Sequence, residues 1–130
     1  MVSRYSALPL HRVGIVQRFD DLKFARVRRG IVYFLAAWSG ASVMLFRHVT
    51  EALARLDSTV LEFIVVDLDC VPADFWAEAF DRLTPAGAGE TLWVRDGVVV
   101  ASALTSPRPG ADSEFMRYTR ILIDEETKSG

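Results

Sequence analysis

Cysteine is almost missing from this sequence: Cys70 stands alone among 130 residues. No intrachain disulfide can form, which fits a reducing compartment. Histidine is nearly as scarce, with only His11 and His48, so there is no Cys/His cluster of the kind that holds zinc. Neither charge sign dominates: 15 Lys and Arg stand against 17 Asp and Glu, a net charge of -2. The basic footprint of a nucleic-acid binder is absent, and no nucleic-acid partner is expected. The longest apolar run, Ile31 to Trp38, spans eight residues. A bilayer needs roughly 20, so no membrane partner is expected either. Met1 to Leu10 holds one basic residue and no apolar stretch of signal-peptide length, so the expected location is cytoplasmic. There is no G-x-x-x-x-G-K-[ST] phosphate loop and no EF-hand spacing. No metal and no cofactor are expected.

What is present is the material of a folded core. The apolar fraction is 51% and the charged fraction 25%, which excludes a wholly disordered chain. The length suits one domain over residues 1–130, with a core at about 13–124 and a polar tail at 125–130 that is expected to fray. Val13 to Val16 reads as a short strand. Asp20 or Asp21 is placed to cap a short helix ending near Gly30, with Leu22, Ala25 and the stem of Arg29 inward. Ile31-Val32-Tyr33-Phe34-Leu35 is a continuous run of β-formers, the mark of a strand buried on both faces. Ser42 to Leu56 has helical spacing at Leu45, Val49, Ala52, Leu53 and Leu56. Val60 to Leu68 reads as a second buried strand and Asp74 to Leu83 as a short helix. Thr91 to Arg95 and Val98 to Ala103 flank Asp96-Gly97, a strong hairpin signal. Ser113 to Asp124 reads as a last amphipathic helix with Phe115, Thr119, Leu122 and Ile123 inward. Two Pro/Gly loops, at 84–89 and 106–110, interrupt the pattern. The order implies an α/β fold: a mixed central sheet with helices on both faces in three layers.

Three segments carry a resemblance. Phe34-Leu35-Ala36-Ala37-Trp38-Ser39-Gly40-Ala41-Ser42 is similar to the F-x-A-x-W-C-G-P-C active-site segment of thioredoxins. Leu68-Asp69-Cys70-Val71-Pro72 resembles the I-D-x-x-P stretch after the family's third strand. Thr91-Leu92-Trp93-Val94-Arg95-Asp96-Gly97 resembles its T-L-L-x-F-K-[ND]-G hairpin. The resemblance implies a thioredoxin-like α/β/α fold. It also implies that Trp38, the Ala41 turn and the Gly89 loop meet at one end of the sheet, where thioredoxins grip extended protein segments.

The departures fall on the chemistry. Ser39 and Ser42 stand where the family has its two cysteines, and Ala41 replaces the proline between them. The family's buried acid maps onto Tyr33, and its cis-proline maps onto Gly89. Dithiol exchange needs one thiolate to attack and a second thiol to resolve. Serine supplies neither, so no catalytic residue is assigned.

The remaining candidates have plainer readings. A serine nucleophile needs a positioned base. His48 lies six residues after Ser42 on another helical face, so Ser39 reads better as a helix N-cap. Cys70 has no neighbouring His or Lys and reads as a small residue at a strand end. Asp67, Asp69 and Asp74 read as strand-end and cap carboxylates rather than a cation site. Trp38, Phe75, Trp76, Phe80 and Trp93 are many large rings, and most of them suit a core.

The expected function is a redox-inactive protein-binding module. Its expected site is Trp38, Ser39, Gly40, Ala41, Ser42 and Val43, with Gly89, and with Glu90 and Arg95 tuning charge at the rim. Partners would be a client polypeptide (as for an assembly or maturation chaperone), a protein to be neutralised, or a second copy through self-association. The alternatives are a monothiol-exchange enzyme using Cys70 and a structural subunit of a larger complex.

Overall fold

The computed structural model describes residues 6, 8, 13–36, 38–56, 61–72, 74–76, 89–104 and 114–129, with backbone only at 104, 114 and 124–129. Five strands form one sheet in the order β1-β3-β2-β4-β5. They are β1 (Val13–Val16), β2 (Arg29–Leu35), β3 (Glu62–Asp67), β4 (Glu90–Arg95) and β5 (Val98–Leu104). β1 and β2 both run parallel to β3, whereas β4 pairs antiparallel with β2 and with β5. The mixed sheet expected from the element order is therefore present.

The unbroken apolar run of β2 follows from its central place. Successive side chains alternate between faces, and both faces of β2 are covered. Ile31, Tyr33 and Leu35 join one buried cluster, while Val32 and Phe34 join the other. On the first face lie two helices, α1 (Gly40–Leu56) and α2 (Glu114–Ser129). α1 contributes Leu45, Val49, Ala52 and Leu53, as expected from its spacing, together with Phe46, and α2 contributes Phe115, Met116 and Leu122. The Trp93 indole donates to Thr119 Oγ1 at 3.1 Å, and that hydroxyl donates to the Phe115 carbonyl at 2.6 Å. The backbone of α2 is helical to Ser129, five residues beyond the helix end expected at Asp124.

The opposite face differs from expectation. The helix predicted after Asp20 is replaced by two single 3-10 turns, Phe19–Asp21 and Phe24–Arg26. Extended backbone at Leu22 and Val27 separates them, and no side chain caps either turn. The reason is packing. Leu22 and Val27 enter the core while Ala25 stays exposed, and β2 already begins at Arg29. Phe19 and Phe24 close on Phe75, with ring centroids 5.1 and 6.1 Å away. Phe75 and Trp76 in turn meet Phe34 at 5.7 and 5.0 Å. Both described long helices thus lie on one face, and the described cover of the other is these turns with residues 74–76. The remainder of the helix expected at 74–83, with Phe80, lies outside the described residues, as does the loop at 106–110 and all of the 84–89 loop except Gly89.

The Asp96-Gly97 hairpin is present. Both residues have positive φ, 50° and 81°, the conformation that a two-residue turn of this kind demands. Its amides donate to the Arg28 and Val27 carbonyls at 2.7 and 2.9 Å. A Cβ at Gly97 would stand 3.1 Å from Ala25 Cα, so glycine is needed for space as well as for φ.

Candidate functional site

Two turns meet at one end of the sheet. β2 and β3 are parallel neighbours with Leu35 beside Asp67, so the chain leaving each strand emerges at the same edge. After β2, the Ser39 amide donates to the Ala36 carbonyl at 3.0 Å and closes a turn that carries Trp38. After β3, Asp67 accepts the Asp69 amide on its Oδ1 at 3.0 Å and caps a 3-10 turn, Leu68–Cys70. The Trp38 indole Nε1 donates to Asp69 Oδ1 at 3.0 Å. Trp38 is 61% exposed, yet its polar edge is fixed. A large ring in water held in one orientation has little further freedom to lose on binding.

Ser39 performs the capping role expected of it. Its Oγ accepts the Ser42 amide at 3.2 Å, and its carbonyl accepts the Val43 amide at 3.1 Å as the first bond of α1. Capping by Ser39 lets α1 begin at Gly40, two residues before the expected start.

Ser42 requires a correction. The sequence points to it as a binding residue, but it is fully buried. Its Oγ accepts the Ala36 amide at 3.0 Å, and its carbonyl accepts the Tyr33 hydroxyl at 2.6 Å. The position joins helix to sheet and touches no solvent. Glu90 also requires correction: it is fully buried rather than a rim charge. It begins β4 beside β2, with Tyr33 opposite the next residue, Thr91. Gly89 is buried too, with φ 84°, and its carbonyl accepts the Thr91 hydroxyl at 2.9 Å. Burial lifts the ionisation of Tyr33 well above that of an ordinary phenol; the bond to Ser42 works against that shift and the nearby Glu90 adds to it. Tyr33 is a neutral hydrogen-bond donor across the physiological range.

The exposed part of the expected site is therefore Trp38, Gly40 and Ala41, with Val43 half-buried against the α1 face of the core. Met44, 61% exposed, was not singled out from the sequence. It follows Ala41 by three residues on a helix and so shares its face. Asp69 was read only as a strand-end carboxylate, and its spacing from Trp38 in sequence gives no sign that they meet.

Cys70 is partly buried. Burial, then Asp67, push its thiol up, away from the thiolate form that attacks disulfides. It lines an open cleft of about 390 Å³ with Gln17, Arg18, Phe19, Asp20 and Pro72. Among the described residues no group of three or more His, Cys, Asp or Glu is arranged to hold a metal ion. None of their helices is long and apolar enough to cross a membrane.

A mixed five-stranded sheet whose central strand leads through a Trp-bearing turn into the N-terminus of a helix defines a class of α/β proteins, and the comparisons name it. A thioredoxin from Trypanosoma brucei brucei superposes with a TM-score of 0.64 at 16% identity, covering 95% of this chain and 97% of that one. A Plasmodium falciparum thioredoxin gives 0.57 at 18% identity, covering 86% and 97%. Desulfothioredoxin from Desulfovibrio vulgaris Hildenborough gives 0.56 at 15%, covering 85% and 96%. No protein-family model matches the sequence, and no curated protein does. This chain has the thioredoxin-like fold, and its sequence holds a single cysteine, Cys70.

Proposed function

We propose that this chain is a redox-inactive thioredoxin-fold binding module, and that its Trp38 corner receives a segment of a protein partner. The observation that carries the reading is the exposed Trp38 ring pinned through Nε1 to Asp69 at 3.0 Å. Exposed aromatic rings held in place are the usual anchors of protein interfaces. Ala41 and Met44 extend an apolar surface beside it, and a client polypeptide awaiting assembly or a protein to be neutralised would suit that surface. Both positions of a redox pair carry hydroxyls with structural partners, one capping a helix and one tying helix to sheet. The raised Cys70 thiol speaks against a monothiol enzyme.

The test is affinity capture from extract of the native cell, comparing the natural chain with Trp38→Ala and with Met44→Asp. A polypeptide retained by the natural chain and lost from both variants supports the reading. Equal retention by all three overturns this choice of surface. Rapid reaction of Cys70 with a thiol reagent in the native protein would reopen the monothiol alternative.

A further inference from the structure

β5 is an edge strand: among the described residues no strand lies beyond it. Its sequence, Val-Val-Val-Ala-Ser-Ala-Leu, contains no charge and no proline. Folded monomers usually guard such edges with lysine, proline or a cover, because open N–H and C=O groups template further pairing. Here Val98, Val99 and Val100 are 62, 41 and 43% exposed. A bulge between Trp93 and Val94 leaves Val100 with no residue opposite it on β4, but it brings no charge to the edge.

We propose that β5 pairs antiparallel with β5 of a second copy across a twofold axis, joining the two sheets into one. Charge and symmetry select this occupant. A foreign partner would be chosen by side chains that discriminate, and β5 offers only small apolar groups and Ser102. Its own copy matches it by construction. Two neutral strands meet without repulsion, although a quarter of the chain is charged. The other edge, β1, is also uncharged but has only four residues, one of them glycine. Pairing β1 with β5 would be head-to-tail and would propagate into a filament, whereas β5 with β5 closes. One strand pair of seven residues is a small interface, no larger than the roughly 1,000 Å² that stable specific interfaces clear, so the dimer is reversible.

Sedimentation from about 1 µM to about 1 mM, the range where an interface of this size associates, tests the proposal. The natural chain shifts from 14.5 kDa toward twice that mass as concentration rises. Val98→Glu and Val99→Lys weaken the association at least tenfold, and Ile15→Lys on β1 does not. Val98→Glu lies opposite Arg95, which favours the folded monomer, and near-UV circular dichroism of the buried tryptophans checks that fold. Hydrogen exchange of the natural chain gives a measure that needs no variant: amide protection in Val98–Leu104 rises with concentration. A monomer throughout, growth beyond the dimer, a dimer surviving both β5 variants, or one lost with Ile15→Lys overturns the proposal. Trp38→Ala leaves the dimer unchanged, so its outcome is independent of the Trp38 reading.

Discussion

Trp38 and Ser42 are four residues apart, and their surroundings are opposite. Trp38 stands in water and makes a polar contact across to the turn after β3. Ser42 is sealed and spends both its hydroxyl and its carbonyl on β2 and the residue after it. Ser39 and Ser42 fall on either side of this divide, Ser39 at the boundary and Ser42 inside. The difference teaches that the segment from β2 into α1 is divided between two tasks. Its inner half holds α1 to the sheet, and its outer half faces solvent. Substitutions below the boundary should change stability and leave surface properties alone, and substitutions above it should do the reverse.

The sharpest break is Tyr33→Ala. It removes a fully buried ring beside Phe46 and the bond to Ser42, and should cost about 3–5 kcal/mol by denaturant unfolding. Ser42→Ala leaves the Ala36 amide without its acceptor in a buried place and should cost about 1–3 kcal/mol. Ser39→Ala removes the cap on the Ser42 amide and should cost about 1 kcal/mol. A loss for Ser42→Ala no larger than for Ser39→Ala would erase the proposed boundary between them.

The pH dependence has a definite sign. The Tyr33 phenol titrates higher in the folded chain than its ordinary value near 10.0. Its contribution is therefore complete below that value and is lost as pH rises through the folded one. Denaturant midpoints should fall as pH climbs past 10, and Tyr33→Phe should flatten that fall. An equal slope in both proteins would mean that another group controls the alkaline limb.

Much of this arrangement was legible in the sequence. The β2 run, the α1 stripe, the Asp96-Gly97 turn and the Ser39 cap are local signals, each set by periodicity or by one residue's backbone preference. What was not legible depends on contacts distant in sequence. Glu90 looks like a rim charge because carboxylates are rarely buried, and its burial depends on the place of β4 between β2 and β5. The two 3-10 turns arise because Phe19 and Phe24 must reach Phe75, some fifty residues onward. The Trp38–Asp69 bond exists because β2 and β3 end together, and two parallel strands joined through a helix leave no sequence spacing to read.

The smallest effect on stability tests the outer half. Asp69→Ala removes the acceptor for the Trp38 indole, and Asp69→Asn retains a carbonyl oxygen there. Both sites are exposed, so unfolding free energy should move by no more than about 0.5 kcal/mol. The ring itself should respond. Trp76 and Trp93 are 2% and 0% exposed, so a soluble quencher such as acrylamide reports chiefly on Trp38. In Asp69→Ala, quenching should deepen and fluorescence anisotropy should fall as the indole is released, while Asp69→Asn should stay near the natural chain. If all three proteins give the same anisotropy, the carboxylate does not hold the ring, and the claim of a preformed anchor at this corner fails even with the fold intact.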